Sequence, residues 1–287
     1  MKNEPSSAQP GRRFRLTRRG RLVLIVLSAG LVAAAAVLVP PLLKETTEKK
    51  EKEEKKVTLV VPEGWRASQV YAAVDKALDA APGTTRKAAG AAKLKLPADA
   101  KGNPEGYLFP ATYPVDSKTT PTTLLSYMVN TARERFGAKR ISSGAQHGGV
   151  TDYQTVNIAS IVQAEADTPQ DMGKVARVIY NRLAQGMPLQ MDSTLNYALN
   201  RSTLDTTASD IKIDSPYNSY DRQGLPPTPI DNPGEEAMNA AVNPVSGTWL
   251  YFVTVAPGDT RFTSSYGEHQ RNVEDFNAKR ASASSSG

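Results

Sequence analysis

Glu165 is the residue whose position most directly suggests chemistry. In the segment NIASIVQAEADTPQD, Ile158, Ile161 and Val162 have the spacing of one buried helix face, and Glu165 occupies the next position of that face. A carboxyl group there loses solvation, and the negative end of the helix dipole further disfavours its anion. Both effects raise the pKa. The pattern therefore predicts a carboxylic acid that stays protonated near neutral pH and acts as a general acid.

A purely structural role is the competing interpretation of Glu165. The following segment carries Arg177 and Arg182, and either guanidinium could pair with the carboxylate. Other reactive groups are scarce, because the sequence has no cysteine and its two histidines are His147 and His269. This composition excludes thiol chemistry and leaves too few ligands for a histidine metal cluster. We therefore expect no metal and no cofactor.

The net charge of +6 is concentrated at the N-terminus. Residues 1–21 carry seven basic side chains and one acidic one, and residues 44–56 carry six Lys and five Glu. From Val57 onward, 22 basic and 23 acidic residues nearly cancel. A folded part without basic excess is not typical of nucleic-acid binding, so we expect no nucleic-acid partner.

Residues 22–43 form an uncharged, mostly apolar run that is long enough to span a bilayer. Arg18, Arg19 and Arg21 precede it, which favours a cytoplasmic N-terminus. The small residues at 33–36 leave a cleaved signal peptide as the alternative, although the apolar sequence continues beyond them. The sequence thus predicts a basic cytoplasmic tail (1–21), a single-pass anchor in the cell membrane (22–43), a charged linker (44–56) and an extracytoplasmic C-terminal part.

The periodicity from Val57 onward indicates an α+β fold. Residues 57–61 predict a strand, and the apolar spacing of Val70, Tyr71, Val74 and Leu78 predicts a helix. We interpret residues 57–104 as a small α+β module, followed by a rigid connection with a short strand in KGNPEGYLFPATYPV.

Residues 105–280 are predicted to form a larger mixed α+β domain. Helices are expected over 124–135, from before Glu165 to near Thr168, from Pro169 to Gly186 with Thr168 as its cap, and over 235–242. TWLYFVTV predicts a strand and GEHQRNVEDFNAKR a polar helix. Residues 187–234 are predicted to be functional loops, and residues 281–287 a disordered tail.

Several motifs resemble one family. EGYLFPATY, ASIVQAEA, VIYNRLAQGMPLQMDSTLNYAL, DSPYNSYDRQGLPPTPIDNPG, LYFVTV and EHQRNV occur in the order and at roughly the spacing of the endolytic murein transglycosylases, also called the YceG-like family. The resemblance covers about residues 57–276. It implies an N-terminal transmembrane helix, a LysM-like module over 57–104 and a catalytic domain that cleaves nascent peptidoglycan glycan strands internally.

The resemblance also implies a lytic mechanism with one carboxyl group. The C6 hydroxyl of N-acetylmuramic acid attacks C1, while the catalytic Glu protonates the leaving oxygen and then accepts the hydroxyl proton, giving a 1,6-anhydro end. The family's catalytic Glu lies in the motif written here ASIVQAEA. Many members have two Glu in it, and this sequence has Gln163 at the first position. Because Gln163 lies off the apolar face, helix register and resemblance both assign catalysis to Glu165.

The other motifs supply candidate substrate-binding residues, whose polar and aromatic groups suit sugar hydroxyls and faces: Gln190, Asp192, Thr194, Tyr217, Asn218, Tyr220 and Glu105. For each, a role in shaping a turn is the alternative. Gln270 in EHQ departs from the family's usual EHN, and the segment before EGYLFPATY is shorter than in many members. The implied partners are peptidoglycan glycan strands, with penicillin-binding proteins or other peptidoglycan synthases as candidate protein partners.

Two other functions share these features. A non-catalytic, membrane-tethered peptidoglycan-binding or scaffold protein would have the same anchor and module but would not need Glu165. A hydrolytic muramidase would need a second carboxylate, for which Asp192 and Glu105 are the candidates.

Overall fold

The computed structural model describes residues 57–137, 149–203 and 206–285. The predicted tail, anchor and linker lie outside these ranges, as does His147. Within them, no helix has both the length and the apolar character needed to cross a membrane.

The described chain begins with a strand–helix–helix–strand arrangement. Its elements are β1 (Val57–Val60), α1 (Ala67–Ala77), α2 (Thr84–Ala91) and β2 (Thr112–Val115). β1 and β2 pair antiparallel, with Val57 opposite Val115. β1 and α1 confirm the predicted strand and helix, whereas α2 was not predicted. The boundary between the small module and the larger domain was expected at residue 104. The sheet crosses this boundary, because β1 comes from the module and β2 from the larger domain.

The remaining elements are mostly helical: α3 (Pro121–Phe136), α4 (Asp152–Glu165), α5 (Pro169–Ala184), α6 (Asp192–Ala198), α7 (Glu235–Val242), β3 (Tyr251–Ala256), β4 (Asp259–Thr263) and α8 (Tyr266–Ser285). α4 packs against α5, α6 and α7, while β3 and β4 form a hairpin that α8 covers. The predicted α+β class is therefore seen as a helical assembly with two small sheets.

α4 is buried on every side along most of its length, from Thr155 to Val162. This differs from the single apolar stripe that the sequence indicates. Two polar residues outside that stripe are buried because they form hydrogen bonds to neighbouring loops. Asn157 donates to the carbonyl of Pro226 (2.6 Å), and the hydroxyl of Ser160 accepts from the N–H of Ile230 (3.0 Å). α4 is thus the central helix, and its last residue is Glu165.

The junction between α4 and α5 follows the predicted capping chemistry. α4 ends at Glu165 and α5 begins at Pro169. The Thr168 hydroxyl accepts a hydrogen bond from the N–H of Asp171 (3.2 Å), as an N-cap does. The predicted break and restart are confirmed.

Three further elements, besides α2, depart from the sequence interpretation. α6 lies in the segment 187–234 that was interpreted as loops; it has only seven residues, and helices this short depend on tertiary packing, which local sequence does not report. β4 was not predicted. α8 continues to Ser285, so the expectation of a disordered tail is wrong for residues 281–285, whose Ala and Ser residues contain no helix breaker.

Candidate active site

Glu165 ends α4 and faces the start of α6. The backbone N–H of Ser193, in the first turn of α6, donates to Oε1 of Glu165 (3.2 Å). Oε2 accepts no hydrogen bond from the part of the chain that the structure describes. The side chain is half-buried. One carboxylate oxygen is therefore held by the protein, and the other is free to carry a proton towards a ligand.

Burial raises the pKa of Glu165 above its usual range. Hydrogen bonding from Ser193 partly opposes this effect, and the negative charge of Asp192 adds to it. The protonated form is the one that a general acid needs near neutral pH. The pKa direction expected from the sequence is thus found in the structure, with burial as its main cause.

Neither nearby arginine pairs with Glu165. Both donate to backbone carbonyls of the segment between α7 and β3: Arg177 to Pro244 (3.2 Å) and Val245 (2.7 Å), and Arg182 to Leu250 (2.6 Å). Arg182 is 5% exposed and also donates to the carbonyl of Leu189 (2.8 Å) and to Oε1 of Gln190 (3.1 Å). The competing interpretation, in which Glu165 forms an ion pair with Arg177 or Arg182, is therefore wrong.

Asp192 and Tyr220 lie beside Glu165. The Tyr220 hydroxyl donates to Oδ1 of Asp192 at 2.6 Å. Burial raises the pKa of Tyr220, and this hydrogen bond and the charges of Asp192 and Glu165 add to the effect. We call Glu165, Asp192 and Tyr220 the Glu165 cluster. The structure thus brings together three of the residues predicted from the sequence.

Gln163 faces a different element. Its Oε1 accepts a hydrogen bond from the N–H of Gly234 (2.9 Å), the residue that caps α7. The side chain therefore holds the start of α7 while Glu165 faces α6. This arrangement agrees with the assignment of the chemistry to Glu165 and not to the position of Gln163.

Gln190 lies at the edge of the site. Its side chain is exposed, its backbone adopts a left-handed conformation with φ of 50°, and its N–H donates to the carbonyl of Ser219 (2.9 Å). Arg182 holds its amide oxygen. Substrate binding by Gln190 stays a prediction.

Thr194 and Asn218 are fully buried, and their polar groups bond within the protein. Thr194 contacts the carbonyl of Met191 (2.7 Å) and the hydroxyl of Ser219 (2.8 Å), whereas Asn218 donates to the carbonyls of Ile211 (3.0 Å) and Ile213 (2.9 Å). These contacts match the turn-shaping alternative. Substrate binding by these two side chains stays a prediction.

Glu105 and Tyr217 belong to a second group, at the other end of α6. Oε1 of Glu105 accepts from the N–H of Ala67 (2.7 Å) at the start of α1, and Oε2 accepts from the hydroxyl of Tyr197 (3.1 Å). The rings of Tyr197 and Tyr217 are 4.9 Å apart. Tyr197 therefore connects two of the predicted residues, although the sequence interpretation did not select it.

Burial raises the pKa of Glu105 to about 7, while the hydrogen bonds from Ala67 and Tyr197 and the charge of Arg66 oppose the rise. Asp231 is buried nearby, and its pKa is also raised, first by burial and then by the charge of Glu105. Two carboxyl groups with raised pKa values thus lie close to each other and to Arg66, the residue before α1.

We expect Glu105→Gln to flatten the dependence of stability on pH. The folded chain retains a proton on Glu105 that the unfolded chain releases, so stability should fall as pH rises from about 4.5 to about 7, by on the order of 3 kcal/mol. The glutamine mimics the protonated acid, because its oxygen can still accept from Ala67. Urea unfolding followed by circular dichroism across this range tests the expectation, with Glu236→Gln on the exposed side of α7 as the matched control. An unchanged slope in Glu105→Gln would contradict it, and any fall in stability that remains over this range is assigned to Asp231 and Glu165, whose carboxyl groups also have raised pKa values.

The site combines a proton donor at a helix end with an adjacent carboxylate and tyrosine in an α+β fold, which defines a candidate acid–base enzyme. A model of the YceG-like family matches residues 36–275 of the chain. The chain belongs to the YceG-like family. This agrees with the resemblance found in the sequence motifs.

Similar proteins have names that indicate an activity. The chain is 36% identical over 173 residues to an endolytic murein transglycosylase of Bacillus subtilis, a match that covers 60% of this chain and 48% of that protein. It is 36% identical over 182 residues to an endolytic murein transglycosylase of Streptococcus pneumoniae, covering 61% of this chain and 33% of that protein. The matches thus span about half or less of these relatives' length.

A solved structure supports the fold. The crystal structure of a yceG-like protein from Listeria monocytogenes superposes with a TM-score of 0.69 at 29% sequence identity, over 77% of each chain. The described fold is therefore shared with another member of the family.

Proposed function

We propose that this protein is an endolytic lytic transglycosylase that cleaves the β-1,4 bond between N-acetylmuramic acid and N-acetylglucosamine within nascent peptidoglycan strands. The observation that carries the proposal is Glu165, a helix-end carboxyl group whose pKa is raised by burial and whose Oε2 is unbonded within the described residues. The names of the relatives support the choice of peptidoglycan as the substrate. The product strand would end in 1,6-anhydro-N-acetylmuramic acid, which would terminate its polymerisation.

One carboxyl group can perform both proton transfers of this reaction. Protonated Glu165 gives its proton to the glycosidic oxygen as the bond from C1 breaks. The resulting carboxylate then accepts the proton of the C6 hydroxyl while the oxygen of that hydroxyl forms its bond to C1. This proton transfer restores the protonated form of Glu165. The nucleophile belongs to the same sugar and so acts at high effective concentration. Ser193 keeps Oε1 in place throughout, because its N–H can bond to either form of the acid.

Digestion of purified glycan strands tests the proposed reaction. Internal cleavage should release fragments of many lengths early in the reaction, and their new ends should be lighter by one water than a reducing end. Fragments should resist borohydride reduction at those ends. Release of terminal disaccharides alone would contradict internal cleavage, and no cleavage at all would contradict an enzymatic function.

A muramidase is the second candidate, and the position of Asp192 favours it. Hydrolytic glycosidases use two carboxyl groups, and Asp192 is the carboxylate whose charge acts on Glu165. Its Oδ1 accepts from Tyr220, so it is held in one orientation. If Asp192 activated water or attacked the sugar, the reaction would be hydrolysis and the new ends would be reducing.

Asp192→Asn distinguishes the two candidates. If Glu165 works alone, the variant should keep at least about a tenth of the wild-type kcat, whereas loss of a second catalytic carboxylate costs about 10² to 10⁴-fold. Removing the charge of Asp192 should also lower the pKa of Glu165, so the decline of activity at alkaline pH should begin at a lower pH. A pH profile of kcat measures both effects. An inactive Asp192→Asn with an unchanged fold would support the muramidase.

The proposal places the catalytic part outside the cytoplasm, tethered by residues 22–43. This rests on the apolar run behind an arginine cluster. There the enzyme would meet nascent strands beside penicillin-binding proteins or other peptidoglycan synthases. Protease added to spheroplasts should digest the C-terminal part, and the mature protein should retain residues 22–43. A mature N-terminus after Ala36, or protection of the C-terminal part, would contradict this placement.

A further inference from the structure

A cleft of about 600 Å³ lies beside α1 and α2, apart from the Glu165 cluster. We call it the arginine cleft. The residues that carry the argument are Arg66, Tyr71, Arg86, Glu105 and Tyr197, all of which line it. Together they give it two guanidinium groups, two aromatic rings and one buried carboxyl group. Neither the proposed reaction nor the Glu165 cluster uses these arginines.

The guanidinium groups are held in place but are not neutralised by a partner. Arg66 lies over the ring of Tyr197, with 5.2 Å from Cζ to the ring centroid, and donates to the carbonyl of Arg201 (2.7 Å). Arg86 lies over the ring of Tyr71 at 5.8 Å. In the ranges that the structure describes, none of the ion pairs involves Arg66 or Arg86. Stacking fixes a guanidinium plane while leaving its N–H groups available for an anion.

The carboxyl group in the cleft does little to offset this positive charge. Glu105 is 4% exposed and accepts hydrogen bonds from Ala67 and Tyr197, so its oxygens are used within the protein. Because burial raises its pKa to about 7, a substantial fraction is neutral near neutral pH. The cleft therefore offers net positive charge to an incoming ligand.

α6 connects the arginine cleft to the Glu165 cluster. Ser193, in the first turn of α6, bonds to Glu165, and Tyr197 bonds to Glu105 near the other end of the helix. Four residues of α-helix rise by about 6 Å, so the two positions of α6 that contact the two sites are about one helical turn apart. A group attached to the glycan as a branch would be placed near the arginines while the sugar chain lies at Glu165.

We propose that the arginine cleft binds a carboxylate of the acidic peptide branch that peptidoglycan strands carry on N-acetylmuramic acid. Arginine forks match the geometry of a carboxylate, and the two tyrosine rings and the volume suit a short peptide better than a small inorganic ion. This inference rests on the proposed function and adds a substrate feature to it: cleavage would be favoured near sugars that bear a peptide.

Arg86→Gln tests the inference, because Arg86 is exposed on α2 and its loss should not disturb the fold. With the full chain in mild detergent, we compare glycan strands that carry peptides with the same strands stripped by an amidase, after the lactyl carboxylates that the amidase exposes have been converted to amides. The variant should raise KM about fivefold to tenfold for peptide-bearing strands, leave kcat unchanged and have no effect on stripped strands. For the wild type, stripping should raise KM to a similar extent. Lys87→Gln, next along α2, is the matched control.

Equilibrium binding separates this inference from the proposed function. Titration with the free stem tripeptide should show binding to wild type and to Glu165→Gln, and weaker binding to Arg86→Gln. The inference is overturned if wild type cleaves both kinds of strand with the same KM. It is also overturned if inorganic pyrophosphate binds to wild type more tightly than the peptide and binds weakly to Arg86→Gln, because the cleft would then be a phosphate site. If wild type cleaves neither strand, the proposed function fails, and peptide binding still decides whether the cleft recognises the carboxylate.

Discussion

Glu165→Gln is expected to lower kcat for strand cleavage by about 10³-fold or more while leaving the fold intact. A glutamine cannot transfer a proton to the glycosidic oxygen, and general acid–base catalysis contributes about 10² to 10⁴-fold in a single step. Here the same carboxyl group serves in two proton transfers, so the loss in kcat should lie towards the upper end of this range of about 10² to 10⁴-fold. The fold should persist because the glutamine Oε1 can still accept the hydrogen bond from Ser193, and a buried ionisable group is removed. Initial rates on purified strands, together with thermal unfolding, measure both outcomes.

Gln163→Glu is the matched control, since it introduces a carboxyl group two residues earlier in α4. Its oxygen can still accept from the N–H of Gly234 at the start of α7, where the helix dipole favours an anion. The carboxylate of Glu63 also lies close to Gly234, so a repulsion of less than about 1 kcal/mol is expected. Activity should remain largely intact. Substantial turnover by Glu165→Gln would contradict the assignment of catalysis to Glu165 and would mean that another group donates the proton.

The part of the fold that local sequence determines was predicted correctly. The end of α4 and the start of α5 follow from Thr168 and Pro169, whose capping and φ restriction act within a few residues. The position of Glu165 follows from helix periodicity, and its pKa direction follows from burial at a helix end. Capping, the proline restriction and helix periodicity act between residues that are close in the sequence, so they can be recognised without knowledge of the rest of the chain.

The part that depends on distant partners was not predicted. Arg182 is held by the carbonyl of Leu250, 68 residues away, so the sequence could equally suggest an ion pair with Glu165. Tyr197 meets Glu105 across 92 residues, and no local pattern marks this pairing. The contact of Tyr197 with Glu105 depends on the packing of α6, a short helix in a segment rich in turn residues. The spacing of Arg182, three residues after the apolar Ile179 of α5, is the one sequence signal that could have indicated a buried arginine bonded to the protein interior.

The resemblance to known motifs selected residues of two different kinds. Asp192 and Tyr220 lie beside Glu165, whereas Thr194 and Asn218 are fully buried and bond to neighbouring backbone. Motifs group these residues because they adjoin one another in sequence, and loops that form sites contain both ligand-facing and loop-shaping side chains. Burial and hydrogen-bond partners distinguish the two kinds, and only the structure supplies them.

Cleavage in water enriched in heavy oxygen tests the single-carboxyl mechanism most directly. If Glu165 acts alone, the C6 hydroxyl is the nucleophile and no water enters the bond-breaking step. The new end on the N-acetylmuramic acid side of every cut should then be a 1,6-anhydro sugar, lighter by one water than a reducing end and without heavy oxygen. A hydrolytic muramidase acting on the same strands provides the control, because its new ends must carry the label. Mass spectrometry of the wild-type products should show unlabelled anhydro ends, and labelled, borohydride-reducible ends would contradict the account and assign hydrolysis to Glu165 with Asp192.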